Sequence, residues 1–512
     1  MPYRVLGVAL AMAVSYLGAP AQSAATADAS VAALLLKHRT FAGWQLGDGT
    51  FKTLLLTRRY VDSEGNATQV ARERRAGLIY RTTTFLPNRE AVTDDAGFTG
   101  NIFWTSSQNG FTTPLYGDLA KVRYSYNLLF NEGTSALSGE SRGTETVDGK
   151  PYAKVHLDVP QADAIDIDVD PETGAYTRAA IDPGGRHEIV VHILSYAQVL
   201  GKRMIGSYRI GDGPAGTYTY TDIQPNLAIA DADLHPPAAQ ARWTFAGDKA
   251  FPIATTVKPS RVLVDATVNG VKGHFIIDSG ASAIFLNERF AERAKVAKVA
   301  DAGVAIGLYG AQRATVRRIA TLEIGGNTLS NVLVEAQNFN SSNYWGLDDR
   351  DYDGLLGYDF FAGAMVTLDA VAKTMTIADP SLAIVDPQGL AVLVDTSNRI
   401  PSVPMTLNQT IAVNAMLDTG DPGMVVFGPD ILYKYHLRMA RRIGTRVGAG
   451  SVECGNIETL QLGPISYGGA QACKVDSGVV SGRDVLVGLD FLQHFAIQFD
   501  YPHGRMFFQP AR

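Results

Sequence analysis

One pattern occurs twice in the second half of this chain, and no other feature narrows the possible folds as far. An apolar strand over 262–268 turns at Asn269-Gly270, a second apolar strand ends in Phe275-Ile276-Ile277, and Asp278-Ser279-Gly280 follows at once. Further on, a strand over 403–407 turns at Asn408-Gln409, a second ends in Ala415-Met416-Leu417, and Asp418-Thr419-Gly420 follows. The copies then stay in step. A helix start at Asn287-Glu288-Arg289-Phe290 is answered near Pro429-Asp430-Ile431-Leu432. Thr321-Leu322-Glu323-Ile324-Gly325 is answered by Thr459-Leu460-Gln461-Leu462-Gly463, and Leu355-Leu356-Gly357 by Leu486-Val487-Gly488. Each copy closes on a strand hairpin, over 365–377 and 496–508. A shared order at nearly constant spacing describes one lobe built twice.

The chemistry of the repeat lies in its two acids. An Asp at the end of an apolar strand, followed by a tight turn at Gly280 or Gly420, projects from a fixed backbone into a cleft. Two such loops facing each other bring two carboxyls together. Like charges at that distance do not both ionise readily, so the pair holds one proton over a wide pH range. One carboxylate then serves as general base toward a water while its protonated partner polarises a carbonyl. The letters alone are weak: Asp476-Ser477-Gly478 has them too, but lacks the preceding apolar strand and the downstream apolar-apolar-Gly, and reads as a loop.

On these residues the chain resembles the aspartic peptidase family. Each copy is similar to a retropepsin-type lobe, and the pair to the single two-lobed chain of pepsin-like enzymes, over residues 243–512. The resemblance implies a mainly β, bilobal acid-protease-like fold, with lobe 1 at 243–385 and lobe 2 at 386–512. It implies hydrolysis of peptide bonds in a peptide or protein substrate by a water held between Asp278 and Asp418, with neither cofactor nor metal. Ser279 and Thr419 would hydrogen-bond across the two loops and fix their separation, with Gly280 and Gly420 supporting the pair through their tight turns. A monomer suffices, since one chain supplies both acids. Tyr309, in Ile306-Gly307-Leu308-Tyr309-Gly310, stands where the family carries its flap; an ordinary hairpin tip explains it equally well. Asp421 departs from the family, which has a small or hydroxyl residue there. A third carboxyl would disfavour ionisation of Asp418 or would itself stay protonated.

The first half reads differently. Arg4, an apolar run to about Ala19 and the small residues through Ala24 form a signal peptide over 1–24, which places the mature protein in the periplasm or outside the cell, with no membrane span once it is removed. From 28 to 240 the chain reads as a separate antiparallel β-rich domain. Its layout, around Asp170-Pro171-Glu172-Thr173-Gly174 and Asp182-Pro183-Gly184-Gly185, loosely resembles the half-barrels of bacterial lipoprotein carriers. That resemblance supplies a rival function: an exported, non-catalytic protein that binds a lipid or peptide, built on a decayed protease scaffold. His235-Pro236-Pro237 and the small residues to Ala241 read as the linker, because two prolines continue neither strand nor helix.

Several chemistries are excluded. The 45 Lys and Arg against 51 Asp and Glu leave a net charge of −6 and no basic stripe for nucleic acid. His187-Glu188-Ile189-Val190-Val191-His192 spaces its histidines five apart, not the four that a zinc helix needs. The alternating Ile165-Asp166-Ile167-Asp168-Val169-Asp170 puts three acids on one strand face, read as solvated, and lacks the Gly and Glu of a calcium loop. The two cysteines, Cys454 and Cys473, flank the turn at Gly463-Pro464 and read as a structural disulfide in an oxidising compartment.

Overall fold

The structure, a computed structural model, describes residues 29–85, 92–147, 149–185, 187–212, 216–258, 261–307, 310–339, 352–382, 389–396, 399–423, 425–427, 444–447, 450–474 and 484–511. The signal-peptide segment, Tyr309, the second helix start near 429–432 and the Asp-Ser-Gly at 476–478 lie outside them. The fold is mainly β, with a separate β-rich N-terminal part. Among the described residues no helix is long and apolar enough to cross a membrane.

The N-terminal part is a 13-stranded antiparallel sheet. Its strands follow chain order in two runs, and the runs join where Leu54–Val61 pairs with Thr217–Pro225. The sequence reading placed strands from residue 28, but the part opens on a helix, Ala29–Ala42, and carries a second, Gly117–Phe130. The first is a run of Ala and Leu, the best helix formers. It buries Val31, Leu35, His38 and Ala42, a stripe at helical spacing. The His38 ring stacks on Tyr176 and hydrogen-bonds the Gly174 carbonyl and Glu132. The acidic strand face is also not the solvated one expected. Asp168 and Asp170 are buried, and Asp170 holds the following turn, accepting from the backbone N–H of Glu172 and Thr173 and from Lys150. Lys154 and Arg178 of the two flanking strands stand in register on either side of Asp168, which single-strand alternation does not reveal.

Beyond residue 240 the described residues form three sheets. A nine-stranded sheet gathers strands from 242–356 and a seven-stranded one those from 402–487. Both contain the same joint: the strand entering each Asp lies parallel to the strand before the later Gly. Phe275–Ile277 pairs with Gly354–Leu356, and Ala415–Leu417 with Val485–Val487. The Asn turns match as well. Asn269 and Asn408 sit at φ 49° and 48°, and each carboxamide oxygen accepts from two backbone N–H groups, of Ala320 and Thr321 or of Glu458 and Thr459. The two closing hairpins meet in a six-stranded sheet, where Met365–Asp369 runs antiparallel to Phe495–Asp500. One apolar cluster runs through all of this, from Val262 and Phe290 to Leu460 and Phe508.

Cys454 and Cys473 are disulfide-bonded directly across paired strands, 19 residues apart. Closing a loop of that length restricts the unfolded chain, so replacing both by serine is expected to cost about 3 kcal/mol. A urea midpoint unchanged by the replacement, or by reductant on the wild type, would contradict this.

The N-terminal part is built into the rest. The hairpin Phe103–Ser107 and Thr112–Leu115 drives its tip against the nine-stranded sheet. There the Asn109 carboxamide donates to the Leu333 carbonyl at 2.9 Å and accepts from the Leu333 N–H at 2.7 Å. Thr113 meets the Tyr358 hydroxyl at 2.5 Å, and Phe111 joins the main apolar cluster. A Cβ on Gly363 would lie 2.4 Å from the Phe111 ring, so only glycine lets the ring in. The proline-rich stretch read as a linker is pinned too: Gln240 donates its N–H to the Asn109 carbonyl and accepts from Asn331.

Candidate active site

Two apolar strands, Val271–Ile277 and Ile411–Leu417, end in fully buried residues, so the residue after each starts from a rigid base. The Asp278 N–H donates to the Leu356 carbonyl at 3.1 Å and that of Asp418 to Val487 at 2.9 Å, completing each parallel joint. Each chain then turns, and the turn grips its own acid. The Gly280 N–H donates to Asp278 Oδ1 at 2.9 Å and the Gly420 N–H to Asp418 Oδ1 at 2.8 Å.

The glycines also set how close the loops come. A Cβ on Gly280 would sit 2.3 Å from the Asp418 carboxyl carbon, and one on Gly420 would sit 2.4 Å from that of Asp278. Each missing side chain therefore makes room for the opposite acid, and the two carboxyls lie within hydrogen-bonding reach of each other.

Two hydroxyls lock this approach. The Ser279 N–H donates to Thr419 Oγ1 at 2.9 Å while Ser279 Oγ donates to the Leu417 carbonyl at 2.8 Å. In return the Thr419 N–H donates to Ser279 Oγ at 3.0 Å and Thr419 Oγ1 donates to the Ile277 carbonyl at 2.8 Å. Only a hydroxyl accepts one bond and donates the next from a single atom, which is what both positions need. All four bonds are buried, where an unmade one costs most.

Behind the loops the later glycines repeat the symmetry. A Cβ on Gly357 would lie 2.0 Å from the Ala283 carbonyl, and one on Gly488 would lie 2.2 Å from that of Gly423. The next residues, Tyr358 and Leu489, donate their N–H to Ala281 and Asp421.

Electrostatics follow from burial. Asp418 is 6% exposed and Asp278 only partly so. Burial pushes both carboxyls up, and beside the charge of Asp278 the Asp418 carboxyl rises well above the usual range. Asp421, 4% exposed, is pushed up to about 7 by burial and by Asp418. Arg261, at the start of the strand Arg261–Val268, opposes the rise in all three. The sequence reading missed this arginine. Its one signal is a cation opening an otherwise apolar strand, and nothing local says that the strand's start lies near the acids.

The sequence-predicted residues divide cleanly. Asp278, Ser279, Gly280, Asp418, Thr419 and Gly420 come together at one place. The disulfide Cys454–Cys473 joins the long strands Gly450–Leu462 and Ile465–Lys474 of the second sheet. Tyr309 is outside the described residues; the strands Ala297–Gly307 and Gly310–Ile324 pair up to Gly307 opposite Gly310. His192 hydrogen-bonds Asp212, and among the described residues no three His, Cys, Asp or Glu side chains are grouped to hold a metal ion.

Comparison with known proteins bears on one half of the repeat. Residues 264–360, from within the strand Arg261–Val268 to the turn of helix after Gly357, match the aspartyl protease family. No curated protein matches the chain. Among solved structures, a DUF1329 family protein from Desulfovibrio piger ATCC 29098 is 10% identical, over 40% of this chain and 95% of its own, with a TM-score of 0.30. A putative outer membrane lipoprotein-sorting protein domain from Vibrio parahaemolyticus is 8% identical over the same shares, with a TM-score of 0.29.

Proposed function

We propose that this protein is an exported aspartic endopeptidase whose two lobes, 243–385 and 386–512, are copies of one unit, and whose catalytic acids are Asp278 and Asp418. The observation that carries the reading is the reciprocal Ser279–Thr419 bonding, which holds together the loops bearing the partly buried Asp278 and the buried Asp418. A pair so held keeps one proton between its two members, both of which burial pushes up, and in the microstate that reacts this proton sits on Asp418. The family match over 264–360 supports the first lobe. The disulfide fits an oxidising compartment.

The reaction then runs as follows. A water lying between the carboxyls gives a proton to Asp278 as its oxygen bonds to the scissile carbonyl carbon. Asp418 gives its proton to the carbonyl oxygen, so no oxyanion is left uncompensated. The resulting gem-diol collapses: Asp418 takes back a hydroxyl proton, the C–N bond breaks, and Asp278 protonates the leaving nitrogen. No covalent intermediate forms, and the pair ends as it began, with one proton.

A statine-type peptide, whose hydroxyl-bearing tetrahedral carbon imitates the gem-diol, is expected to bind tightly on this mechanism. At a hundred times its Kd it would stabilise the protein by about 2.7 kcal/mol, visible as a rise in Tm. No rise at saturation, together with no cleavage of a mixed peptide library, would favour a non-catalytic binding protein.

A further inference from the structure

The two acid loops match bond for bond except at one position. Ala281 and Asp421 both stand three residues after their Asp. Their N–H groups approach the Asp278 and Asp418 carbonyls at 3.2 and 3.3 Å, and their own carbonyls accept from Tyr358 and Leu489 at 2.9 and 2.7 Å. A Cβ on Gly357 would lie 2.8 Å from the Ala281 methyl; one on Gly488 would lie 2.9 Å from Asp421 Oδ1. Where lobe 1 buries a methyl, lobe 2 buries a carboxyl in the same backbone setting.

That carboxyl is held and directed. Its Oδ1 accepts from the Gly423 N–H at 2.6 Å, and the Asp421 N–H donates to Asp418 Oδ1 at 3.1 Å. The charged groups acting on it are Asp418, Arg261 from the other lobe, and Asp490 on the short helix Leu489–Leu492. Asp278 feels its charge in turn. Among the described residues, three carboxyls thus share the influence of the buried Arg261 guanidinium. Retaining them at neutral pH as three anions would be costly, so the cluster holds protons in preference.

We propose that Asp421 is a positioning residue that raises the proton affinity of the Asp278–Asp418 pair and so extends hydrolysis toward neutral pH. Arg261 limits the rise and keeps the cluster from becoming wholly neutral. The proposal rests on the peptidase reading only for its functional consequence; the proton affinity itself is a property of the folded site. The sign is fixed by charge. A negative Asp421 makes the pair's last proton harder to lose, so removing it lets that proton leave at lower pH.

Two variants test this. Asp421→Asn keeps the shape, and Asp421→Ala copies the residue that the sister loop already accommodates at Ala281. Each is compared with the wild type by the pH dependence of kcat/KM on a peptide substrate. The same three proteins, labelled with 13C at the Asp carboxyls, are titrated by NMR. The alkaline limb should fall by about one pH unit in both variants, a roughly tenfold loss on that limb. The NMR spectra should lose one carboxyl that titrates near neutrality, and another should shift down. Coincident carboxyl titrations in wild type and variants would overturn the proposal, whether or not any of them cleaves a peptide. Absence of cleavage with the expected NMR shifts would instead overturn the peptidase reading and leave the role of Asp421 in the proton affinity standing.

Discussion

Replacing Asp278 or Asp418 by asparagine is expected to lower peptide hydrolysis at acidic pH by about a thousandfold or more, with the fold intact. General acid–base participation is worth about 10²–10⁴-fold for each group, and here neither group has a substitute. Asparagine keeps the volume and one oxygen for the Gly280 or Gly420 N–H, so the loops should stay in place. It removes the carboxylate that takes the water's proton or the acid that gives one to the carbonyl. The two variants should be about equally inactive, because the pair works as a unit and one survivor has nothing to share a proton with. The decisive measurement is single-turnover cleavage alongside a urea denaturation curve. Residual cleavage within tenfold of wild type in either variant would end the case for an aspartic mechanism.

The second large effect concerns the N-terminal part. Expressed alone, residues 241–511 are expected not to fold cooperatively. Excision would uncover Phe111's site against Gly363 and leave the Leu333 N–H and carbonyl without the Asn109 carboxamide. A milder version is Asn109→Ala, which strands the Leu333 N–H at about 1–3 kcal/mol and leaves its carbonyl only the longer bond from Gln108 at 3.3 Å. It should lower the urea midpoint clearly, and it should slow catalysis more than a remote surface change. Tyr358, bonded to Thr113, immediately follows Gly357 behind the Asp278 loop. A well-dispersed NMR spectrum and full activity from the excised fragment would show instead that the N-terminal part is dispensable, as a removable prosegment would be.

These features were unequally legible in the sequence. The acid loops could be read because everything that shapes them is local or repeated: an apolar strand, a hydroxyl, a glycine, and a second copy that says which letters matter. The disulfide could be read from the turn between its cysteines, once an N-terminal segment resembling a signal peptide suggested an oxidising compartment. Arg261 could not, because its effect on Asp278 depends on where the strand start lies in three dimensions. The Asn109 clamp joins residues 224 apart in sequence, and no pattern within the hairpin announces its partner. The helix Ala29–Ala42 was legible in principle from its Ala and Leu content, but the β-rich stretch that follows outweighed it. Asp168 and Asp170 failed for a related reason: alternation sorts residues between the two faces of a strand without saying which face is covered.

The six-stranded sheet in which the two closing hairpins meet sets an order of events during synthesis. Its strand Phe495–Asp500 lies between Met365–Asp369 and Arg505–Pro510, and Arg505–Pro510 pairs in turn with Leu390–Leu393. The Asp418 loop likewise waits for Val487, made nearly seventy residues later, to receive its backbone bond. A chain still emerging from the ribosome therefore has its first acid but no opposing one, and no bracing between the halves. On the peptidase reading, a water would meet one carboxyl with no partner until the strands over 485–510 had paired.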